Sequence, residues 1–141
     1  DLPEMFPLDL VQAPLNVFDR RLIESGWLSR LVDMGAEVHV RSVFLQGLLL
    51  MSAQARPNYF KRWGYFWARW EAWLQEHNES ALAACLGFVL AQSGVNHVVV
   101  GVDSTVQLEN ILTGVGNPSQ KWPDWSCGDL DLIDPNRWGS L

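Results

Sequence analysis

The stretch that most constrains the fold is EVHVRSVFLQGLLL, residues 37–50. It opens with an alternating β-branched run, Val38-His39-Val40, directly after a helix-like segment that closes on Gly35. Arg41 and Ser42 then stand where the strand must end, and an apolar turn leads to Gly47. A buried strand with polar groups at its carboxyl end is where α/β folds carry their chemistry.

The flanking sequence supplies the rest of that pattern. Asp9 to Ala13, DLVQA, reads as a short apolar strand whose end brings Gln12, Pro14 and Asn16 together. Asp19 to Met34 follows at helical spacing, with Ile23, Trp27, Leu31 and Met34 in a stripe that Leu28 and Val32 widen. Gly26 splits this helix, Ser25 is expected to cap its second part, and Gly35 suits its carboxyl end. After a connection at 46–56, Pro57 is expected to start a long helix with Tyr59, Trp63, Trp67, Trp70 and Leu74 along one side. Asn78 is a candidate cap for the next helix, where Leu82, Cys85, Leu86, Val89 and Leu90 form an amphipathic stripe that Gly94 ends. Asn96 to Val100 is a third apolar strand, and Ser104 opens a helix to about Leu112 with Ser104 and Gln107 in capping-box spacing. Strand and helix alternate, as in parallel βα units. Residues 115–141 read as an irregular tail of the same domain.

Composition narrows the function classes. The 141 residues suffice for one domain, and 48% hydrophobic with 18% charged residues is a globular balance. A net charge of −6 argues against a nucleic-acid or anionic-membrane surface, both of which need clustered Lys and Arg. Two cysteines, Cys85 and Cys127, are too few for a disulfide framework and lack metal-type spacing. No apolar run reaches the ~18 residues of a membrane span. Without a signal-peptide pattern the expected location is cytoplasmic. The opening DLPEMFPLDL reads as the middle of a longer chain.

Three segments together resemble the carboxyl-terminal part of an aldo-keto reductase, a (β/α)8 barrel that reduces carbonyls with a nicotinamide cofactor. LDLVQAPLNVFDRRL is similar to the family's sixth strand and following loop, with its D-x-x-Q-x-x-x-N pattern. VHVRSVFLQGLLL resembles the seventh strand, and VVVGVDSTVQLENIL the eighth strand with the phosphate-binding corner. The closing LIDPNRW is similar to the end of one bacterial branch, which implies a sugar-like carbonyl substrate. The likeness covers roughly residues 8–138. It implies an α/β fold, the C-terminal portion of a TIM barrel with three parallel strands and covering helices over 1–141.

Carried over residue by residue, the resemblance places Gln12 where the family holds the nicotinamide carboxamide. Arg41 replaces an aromatic that stacks on the nicotinamide ring, and a planar guanidinium can also stack. Ser42 and the loop to Gly47 would lie along the pyrophosphate. Gly101 to Ser104 would cup the phosphate of the adenosine end with N–H groups at a helix start. The cofactor is NAD or NADP. Members that prefer NADP carry lysine at the Gly101 position and arginine at the Gln107 position, and this chain has neither. Asp103 adds a negative charge there, so NAD is favoured. Ser104 and Gln107 are also explained by helix capping, and the two roles can coexist.

The family's catalytic aspartate, tyrosine, lysine and histidine lie in the first half of the barrel, and nothing here corresponds to them. Neither Tyr59 nor Tyr65 occupies a general-acid position, so no catalytic residue is assigned and the chain alone is not expected to catalyse. The alternative to a reductase portion is an inactive half-barrel that binds or assembles through open strand edges, expected at Val38 to Val40 or Val98 to Val100. A flavodoxin-like domain fails for want of a Gly-rich loop after the first strand.

Other conspicuous residues read as structural. The tryptophan helix is a packing element rather than a stacking platform, although Phe66, Trp67 and Trp73 spread over more than one face and require a second covering surface. His39 is a core or rim group, and His77 and His97 lack metal-ligand partners at useful spacing. Cys85 is a buried inert thiol, whereas Cys127 in the tail is expected at the surface.

Overall fold

The computed structural model describes residues 7–114 and 122–139. Three parallel strands, β1 (Leu10–Pro14), β2 (Glu37–Arg41) and β3 (His97–Val98), form one sheet in the order β1-β2-β3. The register aligns Gln12 with His39 and His39 with His97, so these three residues share a row across the sheet. β3 is shorter than the run 96–100, yet the Asn96 N–H donates to the Val38 carbonyl at 2.9 Å and the Val99 N–H to the Val40 carbonyl at 2.8 Å.

Because strand side chains alternate, the two faces of β2 differ sharply. Val38 and Val40 are fully buried against the helices, whereas Glu37 and Arg41 are exposed and His39 is half-buried. The same open face carries Leu10 at 48% exposure. Among the described residues, helices cover one side of a sheet type that ordinarily has both sides covered. β2 is the central strand, so the edge expected at Val38 to Val40 does not exist; the edges are β1 and β3.

The connection from β1 to β2 holds α1 (Arg21–Glu24) and α2 (Trp27–Asp33), divided at Gly26 in a left-handed conformation with φ 76°. Gly26, not Ser25, occupies the cap position, and the Ser25 hydroxyl only accepts the Trp27 N–H at 3.4 Å. The break re-phases the helix: Leu22, Leu28 and Leu31 are buried, while Val32 and Met34 lie exposed. At the carboxyl end, Ala36 N–H reaches the Leu31 carbonyl and Gly35 N–H the Val32 carbonyl. That is a Schellman pairing, with Gly35 at φ 79° supplying the left-handed residue it needs.

The tryptophan-rich segment starts as a 3-10 stretch at Asn58–Trp63 and continues as α3 (Gly64–Glu76). Ser80 caps α4 (Ala81–Leu90) by accepting the Ala83 N–H at 3.1 Å, whereas Asn78 takes a left-handed turn conformation at φ 50°. α4 is buried all round from Ala83 to Val89 rather than along one stripe. α5 (Thr105–Thr113) has no buried residue.

The second surface that the tryptophan helix required is the chain's own tail. Trp125 packs edge-on against Trp70 at 5.3 Å and Trp73 at 5.2 Å between ring centroids, and Trp122 lies 5.1 Å from Trp73. Such pairs contribute about 0.5–1.5 kcal/mol each beyond the area they bury. The described tail is irregular except for α6 (Leu130–Ile133) and a 3-10 turn at Pro135–Arg137. Residues 115–121 and 140–141 of the expected tail lie outside the described residues. Cys127 is buried, contrary to expectation, because its N–H donates to the Phe18 carbonyl at 2.9 Å and pins it inside. Arg20 fastens the same segment by donating to the Pro123 carbonyl at 2.7 Å.

Candidate functional site

At the carboxyl ends of β2 and β3 the chain leaves an open cleft of about 720 Å³. Its walls include Gln12, Arg41, Ser42, Gly101 and Gln107, together with Asp103. Five of the six residues expected to contact a cofactor therefore converge on one cavity, although they come from three separate segments. Ser104 does not line it. Its hydroxyl instead accepts the Gln107 N–H at 3.2 Å and caps α5.

The β2 side of the cleft is a rigid corner. Asn16, fully buried, accepts the N–H groups of Phe18 and Asp19 at 3.0 and 2.9 Å and donates its amide to the Ser42 carbonyl at 3.0 Å. Ser42 itself is left-handed, with φ 58°. A second left-handed run follows at Leu45, Gln46 and Gly47, with φ of 48°, 54° and 83°. Each non-glycine residue in that region costs about 1–2 kcal/mol. Burial of Leu45 and the Leu48 N–H to Leu45 carbonyl bond at 3.0 Å offset the strain. The loop thus presents Ser42, Phe44 and Gln46 to the cleft in a fixed shape.

Arg41 is exposed at the mouth, and its guanidinium donates to the Ser42 hydroxyl at 3.2 Å. On the opposite wall, the Gln107 side-chain carbonyl accepts the Asp103 N–H at 2.8 Å. The capping box is therefore displaced by one residue, since its reciprocal bond is expected at the N–H of Ser104 itself. Two N–H groups at the start of α5 are already engaged within the chain, so the corner is a weaker anion cradle than a bare helix start would be.

The face of the sheet leading to the cleft holds a cluster that linear spacing missed. Glu37, His39 and His97 place one ligand atom each within 4.8 Å of one another. His97, read from the sequence as lacking metal-ligand partners at useful spacing, has these neighbours across the strand pairing, where register and not sequence separation sets the distance. The described residues hold no tyrosine in the cleft wall, and Tyr65 is exposed on α3.

No family model matches the chain, and no curated protein matches it. Among solved structures, the aldo-keto reductase AKR11C1 from Bacillus halodurans, in its holo form, aligns with a TM-score of 0.62 at 19% identity. The alignment covers 82% of this chain and 40% of that one, so the chain spans well under half of the structure it matches. At this identity the likeness is one of fold alone: three parallel strands with covering helices, a portion of a TIM barrel.

Proposed function

We propose that this chain is part of a nicotinamide-dependent oxidoreductase that reduces an aldehyde or ketone, and that it supplies part of the cofactor site. The observation that carries this reading is the convergence of Gln12, Arg41, Ser42, Gly101 and Gln107 on one cleft at the strand ends. Its volume of about 720 Å³ lies in the range of small-molecule and cofactor sites. The structural neighbour was solved in a holo form, which supports a cofactor-binding reading.

In this reading Gln12 holds the carboxamide and Arg41 lies flat against the nicotinamide. The fixed Ser42–Gly47 loop follows the pyrophosphate, and the Gly101–Ser104 turn receives the adenosine end. The bound nicotinamide supplies the hydride, while these residues orient it and shield one of its faces. Asp103 and the neutral Gln107 favour NAD over NADP, because a 2′-phosphate beside a carboxylate gains no cationic partner. The substrate is a small carbonyl compound, sugar-like by the resemblance of the LIDPNRW ending. The acid that protonates the nascent alkoxide belongs to the remainder of the barrel.

A second reading is favoured by the open sheet face and by α5, where Val106 and Leu112 are 64% and 69% exposed. In it the chain is an inactive half-barrel that associates with another barrel half, or with itself, along β1 or β3. Calorimetric titration of NADH and NADPH into the chain separates the two. Saturable binding, tighter for NADH, is expected for the reductase portion. An absence of heat with either cofactor overturns it and leaves the assembly module.

A further inference from the structure

We propose that Glu37, His39 and His97 form a binding site for a divalent transition-metal ion of the zinc class on the open face of the sheet. The geometry follows from two periodicities. Residues two apart on a strand point to the same face, which puts Glu37 beside His39. The parallel register then sets His97 of β3 directly opposite His39 of β2. His39 Nε2 lies 3.2 Å from Glu37 Oε2, and the two imidazole rings meet edge to face with centroids 4.6 Å apart.

Zinc bonds to nitrogen and oxygen ligands at about 2.0–2.1 Å, which places tetrahedral donors about 3.4 Å from each other. The three donor atoms here all lie within 4.8 Å of one another. Small side-chain rotations close that gap, and Glu37 and His97 are exposed and free to make them. Two imidazoles and one carboxylate are a donor set that zinc-class ions accept with a fourth position left for water. The carboxylate also offsets the charge that the ion brings.

The consequence is a clip between β2 and β3. The β3 pairing is short, only His97–Val98, and residues 39 and 97 are far apart in sequence. An ion held by both strands ties that edge to the sheet centre independently of cofactor binding.

The chain has three histidines, and the remaining one, His77, caps the carboxyl end of α3, where its Nδ1 is 2.9 Å from the Trp73 carbonyl. Both cysteines are buried and unable to compete for a surface ion. The test is titration of the untagged, metal-free chain with Co²⁺, read by visible absorption, followed by displacement with Zn²⁺. A single saturable site is expected, weakened at least about tenfold in His97→Ala and in Glu37→Gln and unchanged in His77→Ala. Substitution at the exposed Glu37 and His97 leaves the packed core intact, and far-UV circular dichroism of each variant checks that it does. Absence of Co²⁺ binding, binding that survives His97→Ala and Glu37→Gln, or binding lost in His77→Ala overturns the proposal.

Discussion

The side-chain amide of Asn16 donates to the Ser42 carbonyl at 3.0 Å, fastening the loop after β1 to the residue at which β2 turns into the cleft. The same side chain accepts two N–H groups, so one buried residue completes three backbone groups around this corner. Asn16→Ala would leave those groups buried without partners. A loss of about 1–3 kcal/mol in unfolding free energy is expected, read as a lower urea midpoint with an unchanged slope. A midpoint within error of the wild type would contradict this role.

Acid sensitivity should come from the tail. The Trp63 indole N–H donates to Asp129 at 2.9 Å, and the Asp131 N–H adds a second bond at 3.0 Å; together they hold the Asp129 carboxyl below the usual carboxylate range. Asp134 is lowered too, by the backbone and side-chain N–H groups of Asn136. A depressed native pKa means that the stabilisation is complete above the unfolded carboxylate value and is lost as pH falls through the native one. Thermal melts between pH 6 and pH 2 should therefore show Tm falling below about pH 4, with a shallower fall in Asp129→Asn. Equal slopes for the two proteins would count against the Trp63–Asp129 bond as the source.

Thiol chemistry should be silent in the native state. Burial pushes the Cys85 thiol well above its ordinary range and raises Cys127 as well. Neither should react with a thiol reagent at neutral pH until the chain is unfolded, when both should react together. Rapid modification of Cys127 in the native chain would mean that the tail does not pack as described.

Cofactor preference can be moved by two residues. Placing cations where the cleft now has Gly101 and Gln107, as Gly101→Lys with Gln107→Arg, should raise NADPH affinity by about tenfold, the worth of one added hydrogen bond to a charged group at about 1.5 kcal/mol. The double variant should leave NADH binding nearly unchanged. Equal gains for both cofactors would point to general charge attraction rather than to a 2′-phosphate contact.

How much of this was legible from the sequence differs by element, and for physical reasons. The central strand was readable because Val38 and Val40 alternate and because Gly35 marks the helix end with a left-handed residue. Gln12, Arg41, Ser42, Gly101 and Gln107 were singled out through the family resemblance, and the structure brings them to one cleft because each stands near a strand end or in the turn and helix that follow it. The cap of α4 was misplaced because Asn78 and Ser80 are equally good cap residues by type. Only the backbone decides: Ser80 is extended at φ −78° and ψ 148°, whereas Asn78 is left-handed. The burial of Trp125 and Cys127 left no periodic signal, since an irregular segment has no fixed face. The Glu37–His39–His97 cluster was invisible for a different reason: strand register joins residues that sequence spacing separates.

In the proposed reading, a nicotinamide cofactor occupies the cleft between the Ser42–Gly47 loop and the Gly101–Gln107 turn. That occupancy is tested most directly by following backbone and side-chain amide resonances of the isotopically labelled chain, a 16.0 kDa protein, during titration with NADH. Saturable shifts are expected at Gln12, Arg41, Ser42, Gly101 and Gln107, with little change along α3 or in the tail. Shifts confined to the tryptophan-rich helix, or none at all, would contradict it.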